Sequence, residues 1–163
     1  MGDLVFKYRK WWKSEWDLYR GETVIGSLVA KKKLSFGLAG ISLGGTQWEV
    51  GYKGWSGYNI FLRDSAGQEI GVMKNHNWTG TAADFFLGGK TYRITMSWWN
   101  GSYVASDESG MEIVRITPNW WRGTSKITTP SASESETLLL LAFVLFYRSK
   151  LDEMGAASGG GGV

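Results

Sequence analysis

The sequence predicts an all-β fold with one helix: a closed antiparallel barrel of about 12 strands around a central hydrophobic C-terminal helix. Three observations predict it. Short stretches that alternate polar and apolar residues recur from residue 3 to about residue 129. The chain holds 23 glycines against 2 prolines, with glycine scattered among aromatic and β-branched residues, which suits many short strands joined by tight turns. Near the end, residues 138–147 are apolar on every side, so whatever forms there needs a hydrophobic surround.

The strand candidates run in order over residues 4–10, 15–19, 23–29, 33–38, 46–52, 58–63, 69–74, 83–87, 91–98, 103–106, 112–117 and 125–129. Turn chemistry separates them at Gly88-Gly89, Ser109-Gly110 and Asn100-Gly101, the last being the strongest two-residue hairpin signal. An internal echo supports the meander. Asp64-Ser65-Ala66-Gly67-Gln68-Glu69-Ile70 matches Asp107-Glu108-Ser109-Gly110-Met111-Glu112-Ile113 at Asp, Gly, Glu and Ile. In each, the aspartate is placed to accept turn amides and the glycine to adopt a left-handed backbone. The spacing lacks the alternating oxygen ligands of a calcium loop.

After Pro130 the pattern becomes helical. Ser133 stands three residues before Glu136, the spacing of a capping box, and the apolar run begins directly afterwards. A helix over about residues 133–154 follows, closing a single domain of residues 1–154. Residues 155–163 form a glycine-rich tail expected to be flexible. The apolar block spans about 15 Å as a helix, half of the roughly 30 Å of bilayer hydrocarbon. Glu134, Glu136, Arg148, Lys150, Asp152 and Glu153 bracket it closely, which favours a protein core over a membrane. A barrel of a dozen strands is too wide for its own side chains to fill, and a helix apolar all round is a suitable plug.

Composition narrows the chemistry. The chain has no cysteine, which removes disulfides, thiolate metal sites and cysteine nucleophiles and fits a reducing compartment. His76 is the single histidine and lies in a polar, loop-like stretch, so neither a zinc site nor a histidine-based triad is indicated. Gly88-Gly89-Lys90-Thr91 lacks the upstream glycine of a phosphate-binding loop. Glu49 and Asp84 are the acids in strand-like contexts that a glycoside hydrolase would need to pair. The expectation is a protein that is not an enzyme and uses no cofactor and no metal.

Binding is indicated instead. The formal charge of +3 is uneven: residues 1–33 carry eight Lys/Arg against four acids, which leaves ten against eleven in the remainder. Lys7, Arg9, Lys10, Trp11, Trp12 and Lys13 interleave cations with aromatics, and Lys31, Lys32 and Lys33 form a second basic patch. Such segments suit anionic head groups, with Trp at head-group level and Lys beside phosphate. The alternative is an ordinary strand and a solvated turn. The pairs Trp98-Trp99 and Trp120-Trp121 keep a carbohydrate- or small-ligand-binding barrel open as a rival, because neighbours on a strand face opposite sides. A purely structural or regulatory role is the third reading. Nucleic acid is the least favoured partner; anionic membrane lipid or a protein partner is preferred. No secretory signal is visible, and Phe6 stands where myristoylation wants Ser or Thr. The expected place is the cytoplasm, peripheral at a membrane.

The stretch from Tyr58 through Asp64, Gly67, Glu69 and Ile70 to Met73, the second turn from Asp107 to Ile113, and the helix from Leu138 to Tyr147 together carry a resemblance. The chain resembles the Tubby C-terminal-like superfamily, and more closely its LURP-one-related and phospholipid-scramblase-like branch, over nearly its whole length to about Met154. The resemblance implies a barrel threaded by its C-terminal helix, with phosphoinositide or phospholipid contact in some members. The lysine and arginine pair that Tubby-type members use for phosphoinositide has no matched counterpart here, and the cysteine-rich lipidation segment of scramblases is absent.

Overall fold

The computed structural model describes residues 4–10, 15–32, 35–53, 59–75, 82–97, 101–119, 122–129 and 135–153. Twelve strands precede one helix: β1 (Leu4–Lys10), β2 (Glu15–Arg20), β3 (Thr23–Lys32), β4 (Ser35–Leu43), β5 (Thr46–Lys53) and β6 (Asn59–Arg63). They continue as β7 (Glu69–Asn75), β8 (Ala82–Leu87), β9 (Lys90–Ser97), β10 (Ser102–Ser106), β11 (Glu112–Asn119) and β12 (Thr124–Thr128), then α1 (Glu136–Glu153). Each strand pairs antiparallel with the next, and β12 returns to β1 with Ile127 opposite Leu4. The sheet is a closed barrel, so it has no free edge.

Alternation along the strands sets the two faces. On β8, Ala83, Phe85 and Leu87 are buried while Asp84 and Phe86 face outward; on β11, Val114 and Ile116 are buried between more exposed neighbours. Every residue of α1 from Leu138 to Arg148 is buried. The helix is therefore enclosed by the barrel, as its all-round apolarity requires. Its contacts with the wall are specific. The Phe6 ring stacks on Phe146 at 4.1 Å between centroids and meets Phe143 edge-on at 5.1 Å. Trp16 meets Phe146 edge-on at 5.6 Å.

The turns follow the chemistry read from the sequence. The Asp64 carboxylate accepts the amides of Ala66 and Gln68 at 3.0 and 2.9 Å, and Gly67 has φ 84°. The Asp107 carboxylate accepts those of Ser109 and Met111 at 2.9 and 3.0 Å, and Gly110 has φ 88°. Gly88 and Gly89, with φ 61° and 78°, make the two-residue turn between Leu87 and Lys90, a conformation that other L-residues resist.

Three expectations need correction. The helix begins at Glu136 and not near residue 133, and its N-cap is Ser135: the Ser135 hydroxyl accepts the Leu138 amide at 3.1 Å. Ser133, the expected cap, lies outside the described residues. Strand β4 covers Ser35–Leu43 rather than 33–38, because Ala39, Ile41 and Leu43 extend the inward alternation past the glycines. Asn100 and Gly101 are not the two central residues of the β9–β10 hairpin, which would set residue 99 opposite Ser102: Ser102 is opposite Ser97, and residues 98–100 lie outside the described residues.

Burial also has a consequence for alkaline stability. The Tyr147 side chain is enclosed, and burial, with a smaller contribution from Tyr52, raises its pKa well above the ordinary 10.0. A group whose pKa is raised on folding stabilises the fold below its unfolded pKa and loses that contribution as pH rises past it. Stability should therefore fall above pH 10.0. Tyr147→Phe should move the alkaline unfolding midpoint upward, while costing no more than about 1.5 kcal/mol at neutral pH. Circular dichroism along a pH series checks this, and an unchanged midpoint would refute it.

Candidate functional site

A meander places all odd-numbered strand ends at one pole and all even-numbered ends at the other. Helix α1 runs between the poles, starting near Leu87 and Asp107 and ending near Tyr8, Asn75 and Tyr103. Charge divides along this axis. At the helix-end pole β1 closes on Arg9 and Lys10, β3 on Lys31 and Lys32, β5 on Lys53, and β7 on Lys74 and Asn75. Arg122 precedes β12 there, and α1 brings Arg148 and Lys150. The acids at that pole among the described residues are Glu15, Asp152 and Glu153, with Asp17 beside Arg9, Glu49 on Lys31 and Asp84 opposite Lys74 a little further along the strands. The helix-start pole has the opposite balance: Glu22, Asp64, Glu69, Asp107, Glu108, Glu112 and Glu136 against Arg20, Arg63 and Lys90. This polarity complements the helix dipole, whose positive end sits among acids and whose negative end sits among bases.

The helix-end pole is built from the inside outward. Arg148, 3% exposed, is held by Asp152, with Nε 3.2 Å from Oδ2, and donates from Nη1 to Asn75 Oδ1 at 3.1 Å. The Tyr103 hydroxyl donates to the same Asp152 carboxylate. Lys150, 7% exposed, lies over three rings, with Nζ 5.0 Å from the Tyr8 centroid, 5.2 Å from Phe146 and 5.8 Å from Trp16. It also donates to the Tyr8 hydroxyl at 3.3 Å. Ring faces and carboxylate together supply partners for two cations where water is scarce.

The residues expected to bind meet different fates. Lys7 is exposed on the outer face of β1, with Nζ 5.0 Å above the Tyr19 ring. Arg9 is engaged, with Nε 3.2 Å from Glu15 and 3.7 Å from Asp17. Lys10 ends β1 opposite Glu15. Lys31 is bound to Glu49 at 2.7 Å, and Lys32 ends β3 opposite Ser35. Trp11, Trp12, Lys13 and Lys33 lie outside the described residues. Because β2 alone separates β1 from β3, the two basic segments lead to one rim. Sequence reading missed Lys74 and Arg122 as members of that rim. It read Arg148 and Lys150 as charges that bracket the apolar block, although bases in the last turns of an enclosed helix are carried into the barrel with it. In sequence, the segments between strand ends at this pole hold Trp11, Trp12, Trp55, Trp78, Trp98, Trp99, Trp120 and Trp121, eight of the chain's 10 tryptophans. These eight lie outside the described residues.

The paired acids considered for hydrolysis do not converge. Glu49 sits between buried Trp48 and Val50 and points outward to Lys31; Asp84 sits between buried Ala83 and Phe85 and points outward to Arg93, 3.0 Å away. Their strands have β6 and β7 between them, about 14 Å around the sheet at ordinary strand spacing. That exceeds the roughly 6.5–9.5 Å an inverting pair uses. His76 lies outside the described residues. Among the described residues no cluster of three or more His, Asp or Glu could hold a metal, and no helix is long and apolar enough to cross a membrane.

No family model matches the chain, and no curated protein matches it. A crystal structure of a protein from Arabidopsis thaliana is similar over 90% of this chain and 88% of that one, with a TM-score of 0.59 and 12% identity. The two proteins share a fold. At that identity the likeness concerns architecture, and function has to be argued from the poles of the barrel.

Proposed function

We infer that the protein is a non-enzymatic binding module that sets its helix-end pole on anionic phospholipid at a membrane surface on the cytoplasmic side. The observation that carries this reading is the gathering of basic strand ends, with Arg148 and Lys150, at one pole while acids collect at the other. A charged surface orients such a molecule as it approaches, basic end first. The tryptophan content of the segments between those strand ends adds residues suited to the head-group layer. The resemblance to the Tubby C-terminal-like superfamily belongs to this reading, since some of its members contact phospholipid. An acidic protein surface would meet the same pole with the same charge logic.

Co-sedimentation with phosphatidylcholine vesicles, with and without phosphatidylserine, tests it. Pelleting is expected only with the anionic vesicles and should weaken as salt rises. Lys74 and Arg122 are exposed at this pole. Replacing both with glutamine should cost about 1 kcal/mol per charge, or roughly 30-fold in affinity together. Lys90→Gln at the far pole should change nothing. Absence of pelleting with anionic vesicles at low salt would remove the lipid reading.

A further inference from the structure

A cleft of about 460 Å³ opens at the helix-start pole, between the β8–β9 turn, the β10–β11 turn and the first turns of α1. Its floor is apolar, with Leu87, Ile113 and Leu138, and its rim is polar, with Lys90, Tyr92 and Asp107. Tyr92 is 6% exposed, yet among the described residues its hydroxyl has no hydrogen-bond partner. The Tyr92 ring is packed while its hydroxyl opens to the cleft, which places that hydroxyl to meet a ligand. Burial, then the nearby Asp107 and Glu108 carboxylates, raises its pKa, which keeps the proton available for donation. Lys90 is exposed and forms no ion pair among the described residues. Asp107 stays ionised. The Ser109 hydroxyl is the main cause of its lowered pKa, and its Oδ1 takes that hydroxyl together with the Ser109 and Met111 amides.

The charges around the cleft select a ligand class. A simple anion would meet Asp107, Glu108 and Glu136; a simple cation would meet Lys90 and the positive end of α1. A molecule carrying both charges meets neither penalty. We propose that the cleft binds a small zwitterionic amphiphile, of which an α-amino acid with a large apolar side chain is the simplest. Its carboxylate accepts from the Lys90 ammonium and the Tyr92 hydroxyl, its ammonium faces Asp107, and its side chain lies on Leu87, Ile113 and Leu138. The volume lies within the range of small-molecule sites, and a few polar groups over an apolar floor is their usual make-up. The cleft lies at the opposite pole from the membrane-docking surface, so the two readings stand or fall separately.

The test is a ¹H–¹⁵N correlation titration of the full chain with L-phenylalanine, N-acetyl-L-phenylalanine, which lacks the ammonium, and phenethylamine, which lacks the carboxylate. With L-phenylalanine, amides of residues 88–92, 107–109 and 135–138 should shift. Each analogue should bind about tenfold more weakly, the loss expected for one charge-assisted contact. Tyr92→Phe and Lys90→Gln should each weaken L-phenylalanine by several-fold; Lys90 is exposed, so its substitution leaves the fold intact. The proposal fails if no shifts occur at millimolar ligand. It fails equally if the three compounds bind alike, or if the Lys90 variant binds as the parent does.

Discussion

Replacing Phe143 with alanine is expected to lower the free energy of unfolding by about 3–5 kcal/mol, the range for deleting a large aromatic from a packed core. Phe143 has no exposed surface and lies edge-on to Phe6, which in turn stacks on Phe146. Truncation leaves a hole in the middle of the barrel, and the surrounding strands are fixed by hydrogen bonds to both neighbours, so they cannot close around it. The expected loss is a large part of a domain stability of roughly 5–15 kcal/mol. Urea unfolding should show a lower midpoint with an unchanged slope. Val24→Ala, on a residue 49% exposed, serves as the control and should cost under about 0.5 kcal/mol. If the two variants lost similar stability, the helix would not be the core of this molecule.

Asp152→Ala should cost about 3 kcal/mol, because it strips the ion-pair partner from a guanidinium that is only 3% exposed. The Tyr103 hydroxyl loses its acceptor at the same time. Asp152 itself keeps 22% of its side-chain surface in water, which places the cost at the lower end for a broken buried pair. Replacing both partners, as Arg148→Met with Asp152→Leu, should cost less than Asp152→Ala alone, since no unpaired charge remains inside. Thermal or urea unfolding of the three proteins makes the comparison. A single substitution as mild as the double would mean that Arg148 does not depend on Asp152, and that the end of α1 is held by packing alone.

Much of this architecture was legible in the chain itself. Alternation located the strands, and the Asp64 and Asp107 turns formed with the bonds their side chains were expected to make, because turn chemistry is settled within four or five residues. The helix could be assigned to the interior because ten consecutive apolar residues leave no face for water. Its start was misplaced by less than a turn because Ser133 and Ser135 are equally good caps in isolation. The choice fell to Ser135, whose hydroxyl reaches the Leu138 amide.

Glycines inside strands were opaque for a different reason. Gly51 reads as a weakness in β5, yet a Cβ there would stand 2.6 Å from Phe61 Cζ, and the Phe61 ring covers the gap from the neighbouring strand. Gly26 likewise leaves room for Phe143: a Cβ would lie 3.0 Å from its Cζ and 2.7 Å from the Ser42 carbonyl oxygen. Both positions are defined by residues distant in sequence. The basic segments were visible as composition, but their engagement was not. Arg9 is taken up by Glu15 and Asp17, and Lys31 by Glu49, while Lys74 and Arg122 join the same rim from strands far along the chain.

Local patterning alone thus determined that this protein is a strand meander with an oily helix, since periodicity and turn chemistry act over a few residues. The register with which β12 meets β1, the division of charge between two poles and the cleft at Tyr92 were decided only in three dimensions. Each depends on which distant strand ends become neighbours, and that is set by register around the whole barrel.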